Sequence, residues 1–142
     1  MPFSSDEFAG LHRIAVTPKV FAGAKVQRKT LGQWDRSKAI KLWKPNGHLY
    51  VAEGVETALA AACMGAAPVW AAGCAGNMAA PPVLDLELCL LVDRDPSRTG
   101  EIKSVECSQR YAAAGRKIKR RQPKAPHKDF NDTWLERRRG GT

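Results

Sequence analysis

The stretch Leu86-Glu87-Leu88-Cys89-Leu90-Leu91-Val92 decides the fold. Its last four residues are continuously apolar, the pattern of a strand covered on both faces, as in a parallel sheet flanked by helices. Downstream come Asp93-Arg94-Asp95, a helical pattern from Arg98 to Ala114 that stops at Gly115, and a basic run from Arg116 to Arg121. That run, with Ile118 alone apolar, reads as a final strand at a sheet edge. Asn131 to Arg138 reads as a terminal helix with Asp129 or Asn131 near its start. Upstream, His48 to Ala52 is a short apolar strand ending in Glu53-Gly54, and Val55 to Met64 is an Ala-rich helix closed by Gly65. Pro68 to Ala71 gives another strand, followed by a Gly73/Gly76 loop and a short helical turn before Pro81-Pro82. From Leu11 to Trp43 the apolar residues alternate loosely, interrupted by Pro18 and an Ala22-Gly23-Ala24 turn, which predicts a small antiparallel unit.

Strand and helix therefore alternate from residue 48 to 121, and short connections between them argue an α/β fold: a mostly parallel, doubly wound sheet with helices on both faces. The expected organisation is a β lead-in over residues 1–47, one α/β domain over 48–138 and a flexible basic tail over 139–142. In such sheets the site lies at the carboxyl ends of the strands, so residues far apart in sequence converge there.

Composition agrees with a single domain. The chain has 142 residues, 44% apolar and 26% charged, and at this length folding buries roughly 70% of the unfolded surface. Collagen-like, low-complexity and wholly disordered classes are excluded. No stretch approaches the ~20 apolar residues of a membrane span. The N-terminal MPFSSDEFAG is acidic and lacks the pattern of a secretory signal, so a soluble, cytoplasmic protein is the expectation. Cys63, Cys74, Cys89 and Cys107 stand 11, 15 and 18 residues apart with no CxxC pair. They read as reduced thiols serving as small hydrophobes.

The charge is uneven. Residues 1–109 hold 12 basic and 11 acidic side chains, whereas residues 110–142 hold 11 and 3. Arg116, Lys117, Lys119, Arg120, Arg121, Lys124 and Lys128, followed by Arg137, Arg138 and Arg139, point to a polyanion partner, because phosphates gain from counterion release. A solvated basic edge is the bland alternative.

The carboxylates at the strand ends bear on chemistry. Glu53 ends one strand; Asp93 and Asp95 end the strongest one. Gathered in a partly desolvated cleft they repel one another, and a hard divalent cation relieves that repulsion. Oxygen ligands without His or Cys suit Mg²⁺ or Mn²⁺, which bind one or two carboxylates plus substrate phosphates. If strand geometry persists, Asp93 and Asp95, two residues apart, point to one side and share an ion. Gly54 leaves room for close approach where the helix begins. The competing reading is ordinary: acids that cap helices, and an Asp95-Pro96-Ser97 turn.

Three segments in order resemble the Toprim domain of bacterial primases, topoisomerases and certain nucleases. They are Leu49 to Ala60 (LYVAEGVETALA), Leu90 to Asp95 (LLVDRD) with Gly100 following, and His127 to Asp132 (HKDFND). The likeness is closest to the primase-like branch of phage, plasmid and mobile-element proteins, covers roughly residues 48–138, and extends weakly to LGQW and AIKLW in the lead-in. The resemblance implies that Glu53 is a metal ligand or general acid/base, that Asp93 and Asp95 are paired metal ligands, and that Asp129 completes a second ion site. Glu56, on the same helical face as Glu53, is the candidate supporting acid. Arg94, Arg98, Lys103 and Lys128 flank the motifs and would neutralise phosphate.

The implied activity is Mg²⁺- or Mn²⁺-dependent phosphoryl transfer on DNA or RNA, as a nucleotidyltransferase of primase type or as a nuclease. Weak sequence preference and steep salt dependence follow from backbone-directed basic contacts, and the partner expected is single-stranded DNA or RNA. The sequence contains no CxxC zinc ribbon, no GxxxxGK[ST] motif and no topoisomerase tyrosine domain. A topoisomerase is therefore not expected, and the resemblance implies helicase or zinc-binding primase chains as partners. Two further readings are a catalytically inactive nucleic-acid-binding remnant and a phosphoribosyltransferase. The second rests on LLVDRDPSRTG, where Arg94 splits the acids and Pro96 and Arg98 intrude on the phosphate cradle.

Overall fold

A computed structural model describes residues 7–15, 28–32 and 38–140. In chain order its elements are β1 (Gly10–Ile14), β2 (Arg28–Gly32), β3 (Ile40–Lys41), β4 (His48–Ala52), α1 (Val55–Cys63), β5 (Val69–Ala71), a 3₁₀ turn (Ala75–Ala79), β6 (Glu87–Leu91), α2 (Thr99–Ala113), β7 (Ile118–Arg121) and α3 (Phe130–Gly140). The Ala22–Ala24 turn and the Gln33-Trp34 portion of LGQW lie outside the described residues.

The main sheet runs β3-β5-β4-β6-β7. β6 pairs in parallel with β4 and β7, β5 adds in parallel to β4, and β3 closes the far edge antiparallel to β5. This is the expected α/β architecture, with the apolar β6 inside and the basic β7 at an edge. β1 and β2 form a separate antiparallel pair, Gly10 opposite Gly32. The lead-in is thus divided: its last strand, β3, belongs to the main sheet. A strand of two residues leaves no alternation to read, and it is held by tertiary bonds. Trp70 Nε1 donates to the Trp43 carbonyl at 2.7 Å, and Lys41 Nζ lies 4.6 Å from the Trp70 ring centroid.

Period-two alternation sorts the strand residues onto two faces. Leu49, Val51, Leu88, Leu90 and Val92 pack beneath α2 and the 3₁₀ turn with Met78, Cys107 and Tyr111. Ala52, Val69, Ala71 and Leu91 meet Ala58 and Ala61 of α1 and Phe130 of α3 on the other face. The alanines let α1 lie close to the sheet.

α1 and α2 both stop at the glycines read as their ends. Gly65 (φ 92) and Gly115 (φ 65) adopt the left-handed conformation. The following N–H groups of Ala66 and Arg116 reach back to Ala61 and Tyr111 carbonyls at 2.9 Å, a Schellman closure that only glycine adopts without strain. α2 begins at Thr99 rather than Arg98, because Arg98 itself is left-handed (φ 54) and precedes the first turn. α3 continues to Gly140, so residues 139 and 140 are helical rather than tail.

Of the cysteines, Cys89 and Cys107 are buried as expected, whereas Cys63 and Cys74 are exposed thiols. No helix among the described residues is long and apolar enough to cross a membrane.

Tyr111 ties the α2 side together. Fully buried, its hydroxyl donates to the Pro82 carbonyl at 2.8 Å and accepts from the Leu84 N–H at 3.1 Å. Tyr111→Phe strands both backbone partners, so a loss of about 1–3 kcal/mol is expected. A lowered urea midpoint at unchanged slope would show it.

Candidate metal centre

The site forms where β4 and β6 end side by side. Val51 and Ala52 sit opposite Leu90 and Leu91 in the parallel ladder, so Glu53 and Asp93 leave the sheet from adjacent strands at one rim. Glu53 is anchored through its backbone, its carbonyl accepting the Gly73 N–H at 2.8 Å. Past β6, the Val92 N–H bonds the Arg121 carbonyl at 2.8 Å and the Arg94 N–H bonds the Lys128 carbonyl at 2.6 Å. Arg94 Nε adds a bond to the Pro123 carbonyl at 2.6 Å. These ties draw the segment before α3 onto the β6 end and bring Asp129 to the same rim.

Two buried carboxylate oxygens there, Glu53 Oε2 and Asp93 Oδ1, have no hydrogen-bond partner. Burial pushes the Asp93 carboxyl up from 3.8 to about 7, with the charges of Glu53, Asp129, Asp95 and Asp132 adding to the rise. Burial likewise raises Glu53, with Asp95 and Asp129 adding, while the Ala75 backbone N–H opposes by donating to it. Asp95 behaves differently. It sits at the rim, where the Ser97 hydroxyl and then the Ser97 N–H hold its carboxylate below the usual range, the N–H to Oδ1 at 2.6 Å.

The acids therefore converge, but not as a continued strand. The ladder ends beside Val92, and Asp93 faces inward while Asp95 closes the turn before α2 with its Oδ1. Asp129 caps α3, accepting the Asp132 N–H on Oδ1 at 2.8 Å, and its other oxygen makes no part of that cap. Glu56 lies in the first turn of α1, its Oε2 at 3.8 Å from where a Cβ on Gly54 would stand.

The flanking cations are occupied in different ways. Arg94 serves the loop tie just described. Arg98 pairs with Glu101 at 2.8 Å, and Lys103 pairs with Glu106 at 2.6 Å along α2. Lys128 has an exposed side chain, and its backbone N–H bonds Asp132 Oδ2 at 3.1 Å.

Three further residues shape the site without a role assigned to them from the sequence. Asp132 adds charge at Asp93, Ala75 supplies the N–H to Glu53, and buried Gly100 makes room: a Cβ there would stand 2.9 Å from Glu53 Oε2. The first residues of α2 thus pack directly on the Glu53 carboxylate. Gly100 was visible only as a residue following the DxD segment.

Among the described residues no three His, Cys, Asp or Glu side chains stand close enough to enclose an ion. Two inward carboxylate oxygens without partners still suit a hard divalent cation, because Mg²⁺ keeps several waters and takes one or two protein carboxylates plus substrate oxygens. The residues present fit such an ion, and Glu53 and Asp93 are the two that would donate to it.

The Toprim domain family matches residues 48–140, more than half of the chain. The chain belongs to the Toprim family. No curated protein and no solved structure matches it. Toprim domains are metal-binding domains that act on nucleic acid in primases and nucleases, and they typically bind Mg²⁺. The Toprim match begins with β4 and ends with α3, so it spans both rim-forming strands and leaves β1 to β3 outside.

Proposed function

We propose that this Toprim chain carries out Mg²⁺- or Mn²⁺-dependent phosphoryl transfer on single-stranded nucleic acid, in the manner of the primase-like branch found in phage, plasmid and mobile-element proteins. The observation that carries the reading is the pair of buried, partnerless oxygens on Glu53 and Asp93. The ordered EGVETALA, DRD and HKDFND segments support the branch.

In this reading Glu53 and Asp93 hold the ion, with Asp95 and Asp129 at its rim and Asp129 available to a second. The ion when bound supplies Lewis-acid polarisation of a phosphoryl oxygen and orients the attacking oxygen in line. In the ion-free protein burial raises both carboxyls, Asp93 to about 7, and Glu53 is the alternative proton carrier. Glu56, in the first turn of α1, is the supporting acid of this reading. Lys128 presents an exposed side chain to a phosphate, and Arg98 and Lys103 would have to exchange their carboxylate partners for phosphate. The basic β7 edge would hold the strand without reading bases.

One observation favours the alternative of a remnant that binds but does not turn over: the lack of a preformed three-acid cage among the described residues. A single assay separates the two. Wild type and the double variant Asp93→Ala/Asp95→Ala are incubated with Mg²⁺ or Mn²⁺, labelled single-stranded DNA or RNA, and nucleoside triphosphates. Extension or cleavage by wild type, reduced about a hundredfold or more in the variant, is the expected result. Strand binding with no product in any combination would establish the remnant instead.

A further inference from the structure

The face of the main sheet that carries α1 and α3 is covered at its carboxyl end and left open at its amino end. There the cross-strand rows bring Tyr50 opposite Cys89 and Cys89 opposite Lys119, with Arg121 one pleat along. Cys89 is short, so the middle of the row is a dip. A cavity of about 210 Å³ lies over it, walled by Tyr50 and His48 on one side and by Lys119 and Arg121 on the other.

The walls are held in place. His48 Nε2 hydrogen-bonds the Ala67 carbonyl at 2.9 Å, and its ring meets Tyr50 edge-on with centroids 5.8 Å apart. The Arg121 guanidinium stands 6.0 Å from the Tyr50 ring centroid. The charge is one-sided: Lys117, Lys119 and Arg121 line the cavity with Glu87 as the one acid. Both lysines share that acid, at 3.4 and 3.9 Å, with side chains 81% and 65% exposed. Both are free to turn to another anion.

A fixed aromatic wall bordered by mobile cations is the arrangement that binds single strands, bases stacking on the ring and phosphates following the cations. The volume is below the ~300 Å³ at which pockets engulf drug-sized ligands, so it admits one flat ring rather than a whole nucleotide. Tyr50 precedes Glu53 by three residues on one strand, about 10 Å along the sheet. A second groove of about 450 Å³ shares Arg121 and runs past Lys124, Phe130 and Arg137.

We propose that the slot over β4, β6 and β7 seats one unpaired base of a single-stranded nucleic acid against Tyr50, with Lys117, Lys119 and Arg121 holding the flanking phosphates. The proposal rests on the reading that the chain acts on nucleic acid and adds a binding subsite away from the carboxylates.

The test is fluorescence anisotropy in EDTA with a short fluorescein-labelled oligothymidylate and an abasic strand of equal length. The proteins are wild type, Tyr50→Ala, Tyr50→Phe and Lys119→Gln. Wild type is expected to prefer the base-bearing strand. Tyr50→Ala should weaken that strand by about 5- to 150-fold, the range of one stacked base, and leave the abasic strand unchanged. Tyr50→Phe keeps the ring and should bind as wild type, and Lys119→Gln should lower the salt slope by about 1. Equal binding of both strands by folded wild type overturns the slot and leaves the nucleic-acid reading standing, whether or not Tyr50→Ala folds. Tyr50→Ala binding oligothymidylate as wild type does likewise overturns the slot. Wild type that binds neither strand overturns both.

Discussion

Metal-free Asp93→Asn is expected to be more stable than wild type, by about 1–3 kcal/mol near pH 8. The Asp93 carboxyl is raised from 3.8 to about 7, chiefly by burial and then by Glu53, and at about 1.4 kcal/mol per unit this amounts to about 4 kcal/mol once the group is ionised. Asparagine removes the charge but stays buried and polar, so only part of that is recovered. The sign with pH follows from proton counting. At about pH 3 and below, folded and unfolded chains both keep the proton and the group contributes nothing. Between about pH 4 and pH 7 the unfolded chain releases it while the folded chain retains it, so wild-type stability falls as pH rises, and above about pH 7 the penalty is complete. Glu53 is raised in the same direction and adds to the fall. Asp95, held below its usual range, acts oppositely: its stabilisation is present above the ordinary carboxylate range and is lost on acidification. The informative quantity is therefore the wild-type-minus-variant difference in urea midpoint from about pH 5 to pH 8, which should widen with pH. Added Mn²⁺ should reverse the order by stabilising wild type through binding to the folded state.

Gly100→Ala is expected to leave stability nearly intact while reducing turnover by about a hundredfold. The new Cβ would stand 2.9 Å from Glu53 Oε2, and its other neighbours, Ala75 Cβ and Val92 Cγ1, are in ordinary contact at 3.9 Å. The atom in the way is the far end of a flexible side chain. Glu53 gives ground by rotating, so the overpacking cost is expected to fall below about 1 kcal/mol, the low end of the usual range. That rotation withdraws the carboxylate from its shared position with Asp93. Activity and metal affinity should fall together while the thermal midpoint of the metal-free protein barely moves. A large drop in that midpoint with unchanged metal affinity would place Gly100 in packing alone.

How much of this was legible beforehand depended on the range of the forces involved. β6 announced itself because burial on both faces demands an unbroken apolar run, and Gly65 and Gly115 did so because the helix closure needs a positive φ. Glu53 and Asp93 were legible as acids directly after apolar strands. Gly100, Ala75 and Asp132 were not, since each acts through a contact between segments distant in the chain. The same holds for Arg94, whose bonds to Pro123 and Lys128 fasten two loops and whose flanking position had suggested phosphate. Strand geometry, on which the shared orientation of Asp93 and Asp95 depends, stops at Leu91; Ser97 donates to Asp95 Oδ1, while the Asp95 charge still reaches Asp93 and Glu53. Cys63 and Cys74 sit among alanines and glycines, whose small size says nothing about which side of a helix or loop meets water.

The most direct measurement is a calorimetric titration of Mn²⁺ into wild type, Glu53→Gln and Asp93→Asn, each verified as folded. If the rim of β4 and β6 binds a divalent ion through these two carboxylates, wild type binds and each substitution weakens the affinity by at least about tenfold. Two variants that take up Mn²⁺ as wild type does would contradict it.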